Sequence, residues 1–307
     1  MAASSTTKPK LLVIVGPTAS GKSDLAVELA LTFNGEVVSA DSRQVYTGLD
    51  IGTGKITETE MKGVPHYCLD IADPKDRFTA MHWKQAAEAA VSDIISRGKL
   101  PIICGGTGFY ISSLIDDLGF PEVEADAEEQ NKLEQMSVEA LFEELKKLDP
   151  ARAATIDLKN KRRLSRAIII ARSLGAVPEI SKPTEAKYDV IIIGIKPSDS
   201  VLRDRINRRL DARMKAGMLE EVRALHEKKG LSFERMDELG LEYRYLAQHL
   251  QNQITLYDAM HLLATRIWQY SKRQMTWFKR DNRIQWTTPE TALAVSTQLV
   301  TDFLKTR

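Results

Sequence analysis

Residues Gly16-Pro17-Thr18-Ala19-Ser20-Gly21-Lys22-Ser23 follow the pattern G-x-x-x-x-G-K-[ST], and nothing else in the chain limits its fold as tightly. The apolar run KLLVIV at 10–15 leads into it, and residues 24–33 follow with helical spacing at Leu25, Leu29 and Ala30. The order strand, loop, helix is one in which converging backbone N–H groups and a helix N-terminus favour an anion. Lys22 supplies compensating charge there, and the Ser23 hydroxyl is a ligand for Mg²⁺. The pattern fixes a phosphate site without saying which phosphate. Most loops of this kind hold nucleoside triphosphates, so a kinase or NTPase is the first expectation from the loop alone.

Two further buried-strand patterns, residues 36–39 and 100–104, flank a helical pattern over residues 81–96. Strands alternating with helices predict an α/β fold: a P-loop parallel sheet flanked by helices. Residues 121–183 show no convincing strand, and residues 127–148 and 162–174 carry helical periodicity. The apolar strand YDVIIIGI at 188–195 then returns the chain to the sheet. This organisation predicts a disordered lead at 1–9, a catalytic core of 10–120 plus 186–307, and a helical insertion domain at 121–185. Helices are expected at 200–226, 241–251, 255–277 and 289–304, with a short edge strand at 283–286.

The 307 residues carry 43 Lys and Arg against 42 Asp and Glu, so net charge gives no argument for a nucleic-acid partner. Distribution is more informative: acids crowd 122–144, whereas basic residues crowd 159–172, 203–213 and 272–283. Two cysteines, Cys68 and Cys104, without paired spacing argue against a disulfide scaffold or a structural zinc site and fit a reducing cytoplasm. No apolar run is long enough to span a bilayer, and the polar lead lacks a signal-peptide core.

A second constellation, Asp41-Ser42-Arg43-Gln44, follows the second strand at the carboxyl edge of the sheet, where open α/β sheets bind ligands. An acid there can coordinate Mg²⁺, accept a proton or cap the next turn. The third strand ends in another glycine-rich turn, Gly105-Gly106-Thr107-Gly108, so three turns are expected to face one crevice. The run Lys159 to Arg166 reads as a solvated helix face, as the arginine lid of a small kinase, or as a nucleic-acid contact.

Six blocks in order, GPTASGKS, DSRQVY, LDIGTGK, VPHYCLDIADP, GGTGFY and SKRQMTWFKR, together resemble the bacterial tRNA dimethylallyltransferases. The resemblance implies that the loop at residues 16–23 binds the diphosphate of dimethylallyl diphosphate, with Arg209 near the phosphates and Mg²⁺ at Ser23. It implies that Asp41 is a general base toward the target adenine and that Thr107 lies by the donor's bridging oxygen. A tRNA anticodon stem-loop would contact Asp41, Ser42, Arg43, Gln44, Thr107 and Gln130. It would also touch Arg162, Arg163, Leu164, Ser165 and Arg166, and a second block of Lys272, Arg273, Gln274, Thr276 and Trp277. The implied reaction prenylates N6 of the adenosine 3′ of the anticodon in tRNAs reading U-starting codons. The protein is expected to act as a cytoplasmic monomer away from membranes. A P-loop phosphotransferase is the alternative. Departures fall at 239–244, where Glu242 and an extra residue interrupt the family's turn, and at Gln130, where many members carry an arginine.

Overall fold

The computed structural model describes residues 8–121, 123, 126–178 and 185–306. The chain divides into two compact units, Met1–Asp117 with Glu185–Arg307, and Leu118–Thr184. Of the lead at 1–9 only Lys8 and Pro9 are described, and the Pro9 carbonyl accepts a hydrogen bond from Asp189 N.

The first unit is built on strands β1 (Lys10–Val15), β2 (Gly35–Ser39), β3 (His66–Tyr67), β4 (Leu100–Gly105), β5 (Asp189–Ile195) and β6 (Ile284–Thr287). They form one sheet of order β3-β2-β4-β1-β5-β6, parallel throughout. The continuous apolar runs follow from burial on both faces. Leu11, Val13 and Val15 of β1 enter one core cluster, whereas Leu12 and Ile14 enter the other.

Helix α1 (Lys22–Phe33) covers the second face. After α2 (Glu58–Met61), helices α3 (Ala80–Ser96) and α4 (Gly108–Ile115) cover the first. The second unit holds α5 (Ala127–Gln135), α6 (Val138–Leu148), α7 (Pro150–Ala153) and α8 (Lys161–Leu174) around Leu133, Leu141, Leu145, Leu164 and Ile168. The first unit resumes with α9 (Asp199–Lys215), α10 (Met218–Glu227), α11 (Phe233–Leu239), α12 (Leu241–Leu250), α13 (Leu256–Phe278) and α14 (Ala292–Lys305).

Two expected long helices are each two. The 127–148 pattern breaks at Ser137, whose hydroxyl accepts from Ala140 N at 3.1 Å and so starts α6. The 200–226 pattern breaks at Gly217, where φ is 100° and a helix cannot continue. Strand β3 and helices α2 and α11 are not read from the sequence, being two, four and seven residues long and too short to show a period. Among the described residues, no helix is long and apolar enough to cross a membrane.

Candidate active site

The turns leaving β1, β2 and β4 open together at the carboxyl edge of the sheet. They line a crevice of about 610 Å³ with Thr18, Lys22, Ser23, Asp41, Ser42, Arg43, Gln44, Cys104 and Gly105. Its far wall comes from Arg209 and Arg213 of α9, the 238–245 segment, and Arg266, Tyr270, Arg273 and Gln274 of α13.

The loop is held in its strained form from outside. Ala19 and Gly21 take positive φ of 62° and 92°, turning backbone amides inward. Arg205 Nη1 donates to the Ser20 carbonyl at 3.1 Å, and the Pro17 carbonyl accepts from Lys22 Nζ at 3.3 Å. The Thr18 N–H is already bonded to Gln274 Oε1 at 2.9 Å, so it belongs to the scaffold and not to the set of amides facing phosphate. Ser20 Oγ is buried under the loop with no hydrogen-bond partner among the described residues.

Charge in the crevice is unbalanced toward cations. Burial pushes the Lys22 ammonium below its usual value, although Asp41 opposes the shift. Burial and then the neighbouring Arg213 lower Arg209 to about 10. Glu242 answers part of this charge: burial raises its carboxyl pKa, and Arg213 Nη1 lies 3.4 Å away. Arg213 also donates to the Gly52 carbonyl at 3.1 Å. Cations that lose proton affinity to burial and to one another favour an anion between them.

Asp41 both caps its turn and faces the crevice. Its Oδ1 accepts from Arg43 N at 2.8 Å and Gln44 N at 3.4 Å, and Oδ2 has no partner among the described residues. Thr107 Oγ1 accepts from Ser42 N at 3.0 Å, which ties the β4 turn to the β2 turn. Gln44 Nε2 reaches the Gly54 carbonyl at 3.2 Å, and Arg43 Nη1 reaches the Ser42 carbonyl at 3.4 Å.

The residues expected to touch RNA divide by exposure. Arg162 and Arg163 are exposed on α8, with Arg163 Nη1 3.9 Å from Asp157. Leu164 and Ser165 are only 0% and 5% exposed; Leu164 fills the core of the second unit and Ser165 Oγ donates to the Lys161 carbonyl. Their side chains therefore do not reach solution, which corrects the expectation for those two. Arg166 is half-buried and donates to the Val123 carbonyl at 2.9 Å. Gln130 Nε2 bonds Glu134 at 3.1 Å.

On α13, Lys272 pairs with Asp199 at 2.5 Å and lies over the Trp268 ring, while Arg273 lies over Tyr270. Thr276 Oγ1 donates to the Lys272 carbonyl, and Trp277 meets Phe109 edge-on. Gln274 is 6% exposed, and both ends of its amide are bonded inside the protein where it lines the crevice.

Four residues of the site escape the sequence reading. Glu242 sits inside the segment where the family pattern breaks. Arg213 lies one helical turn beyond Arg209, and that i, i+4 spacing is the signal that would have found it. Tyr270 lines the crevice, and Glu221 accepts from the N–H groups of Asp50, Ile51 and Gly52, fixing the LDIGTGK loop.

Ser23 puts a hard oxygen donor beside the phosphate loop, and no cluster of three or more His, Cys, Asp or Glu among the described residues could hold a metal alone. This donor set fits Mg²⁺, which keeps several waters and shares phosphate oxygens with one or two protein ligands.

Residues 44–281 match the family model described as IPP transferase. A tRNA dimethylallyltransferase of Staphylococcus carnosus is 42% identical over 289 residues, 91% of either chain. One from Bacillus mycoides is 38% identical over 286 residues. A solved tRNA isopentenylpyrophosphate transferase from Bacillus halodurans superposes with a TM-score of 0.73 at 34% identity, covering 97% of this chain and 98% of that one. A eukaryotic dimethylallyltransferase structure, at 24% identity and a TM-score of 0.78, shares the fold. With matches of this length and identity to a site already assembled from its own residues, the chain belongs to the IPP transferase family.

Proposed function

We propose that this protein transfers a dimethylallyl group from dimethylallyl diphosphate to N6 of the adenosine 3′ of the anticodon in tRNAs reading U-starting codons, releasing diphosphate. The observation that carries the reading is the convergence of a phosphate loop, Lys22, Arg209 and Arg213 with the open carboxylate oxygen of Asp41 in one crevice. Cations gather where a leaving diphosphate gains charge, and the base faces them from the neighbouring turn.

In the transfer, the adenine N6 lone pair forms a bond to the allylic carbon as that carbon's bond to the bridging oxygen breaks, and the electron pair leaves with diphosphate. The N6 proton passes to Asp41 Oδ2, which relieves positive charge on a poor nucleophile. Lys22, Arg209 and the loop amides stabilise the departing oxygens, with Thr107 beside the bridging oxygen. Ser23 would hold Mg²⁺ together with the phosphates, and the ion would supply further charge neutralisation. The target base leaves its stack to enter the crevice. Arg162, Arg163, Lys272 and Arg273 position the RNA through its backbone. The insertion domain at 121–185 contributes the first two of these. The protein works as a monomer in the cytoplasm, where its RNA substrate is found.

The test supplies Mg²⁺, an anticodon stem-loop RNA and either labelled dimethylallyl diphosphate or γ-labelled ATP. The prenyl label is expected in the RNA. Phosphoryl label in RNA or in a small acceptor, with no prenyl transfer, would replace this reading with a phosphotransferase.

A further inference from the structure

Gln274 bridges two of the three turns that build the crevice. Its Oε1 accepts from Thr18 N at 2.9 Å in the phosphate loop, and its Nε2 donates to the Gly106 carbonyl at 3.0 Å in the turn that carries Thr107. The amide orientation is fixed by chemistry, because a backbone N–H only donates and a carbonyl only accepts. The side chain is 6% exposed, so both bonds are made away from bulk water.

The second observation is steric. A methyl group added at Gly106 would lie 2.2 Å from Gln274 Nε2, and one added at Gly108 would lie 2.1 Å from Trp277 Cδ1. Gln274 and Trp277 are three residues apart and share one face of α13. Gly106 and Gly108 therefore let α13 settle onto the backbone on either side of Thr107.

We infer that Gln274 is a positioning residue of the donor site: its amide locks the phosphate loop to the Thr107 turn, so the seating of α13 sets the geometry in which diphosphate is held. The same helix carries Lys272 and Arg273 on its exposed side. A helix that presents its outer side to RNA thus grips the donor loop with its inner side. The inference rests on the donor-loop reading of the proposed function.

Gln274→Met keeps the length and bulk of the side chain while removing both hydrogen bonds. Isothermal titration with Mg²⁺ and inorganic diphosphate should show affinity falling roughly tenfold, the consequence of losing a buried amide bridge. The donor KM should rise by a similar factor, while the KM and Kd of the anticodon stem-loop stay at the parent values. Unchanged diphosphate affinity overturns the inference. A loss confined to RNA affinity also overturns it and makes Gln274 an RNA contact.

A cycle with Gly106→Ala gives a second reading that does not depend on Gln274→Met folding. Alone, Gly106→Ala should weaken diphosphate binding by pushing the amide away; combined with Gln274→Ala it has room, and should add nothing to the loss in Gln274→Ala. Strictly additive losses overturn the inference. Failure of the parent protein to prenylate RNA would count against the proposed function only, since the diphosphate titrations read the grip on the loop directly.

Discussion

Asp41→Asn separates the cap that the Asp41 carboxylate makes from the base that we propose it to be. Oδ1 bonds Arg43 N and Gln44 N, and an asparagine oriented with its oxygen toward those groups keeps both bonds. Its amide nitrogen then takes the place of Oδ2 and presents hydrogens to a nucleophile that must lose one. The turn should survive and the base should vanish. A positioned base is worth about 10²–10⁴-fold, or roughly 3–5 kcal/mol of activation free energy. Single-turnover transfer of labelled dimethylallyl to an anticodon stem-loop should slow by at least about two orders of magnitude, with Mg²⁺-diphosphate affinity within about twofold of the parent. Asp41→Ala should lose the rate equally and also cost about 1 kcal/mol of stability, the usual worth of a side chain that caps backbone N–H groups. Thr107 Oγ1 still holds Ser42 N in that variant, so the turn is not released altogether. Near-parental turnover in Asp41→Asn would reduce the carboxylate to a cap and remove it from the mechanism.

Three other outcomes are expected. Arg162→Ala and Lys272→Ala should each weaken stem-loop binding and reduce its salt slope by just under about one unit, whereas Lys22→Ala should retain RNA affinity and lose donor use; equal slopes in all three would place the RNA path elsewhere. Mg²⁺ with diphosphate or an unreactive donor analogue should raise the melting temperature more than ATP does, and stronger protection by ATP would favour a phosphotransferase. Glu36, 1% exposed, accepts from Arg97, Lys99 and Tyr67, and hydrogen bonding from Arg97 leads in lowering its pKa from 4.5 to about 2. Because the folded value is depressed, the stabilisation is complete above pH 4.5 and is lost as pH falls through about 2. Arg97 and Lys99 are 37% and 31% exposed, so screening leaves an advantage over Glu36→Gln of roughly 1–2 kcal/mol. Denaturant unfolding should show that advantage at pH 6 and little of it near pH 2, and a pH-independent difference would refute the linkage.

The sequence by itself determined the parallel α/β core. Its strands are buried on both faces and therefore read as unbroken apolar runs, and the phosphate loop needs glycines at positions that any sequence reader can see. It also determined that the turns carrying Lys22, Asp41 and Thr107 would share one edge, because all three follow strands of one parallel sheet; Lys22 and Asp41 line the crevice there, and Thr107 is tied to the turn of Asp41 through Ser42 N. What only the tertiary structure decided lies in the far wall. Arg213 and Glu242 are 29 positions apart and pair because α9 and the start of α12 are packed over the same crevice, a long-range arrangement with no local pattern. The charged run at 159–166 likewise carries no mark of which side chains face outward until α8 is docked on its own core, which takes Leu164 and Ser165 inside and leaves Arg162 and Arg163 out. Gln274 sits in a block whose Lys272, Arg273, Thr276 and Trp277 are exposed, and its helical phase against the glycines at 106 and 108 turns it inward. Periodicity reports which element forms. The direction each polar side chain takes depends on the partner surface, and that surface is assembled from distant parts of the chain.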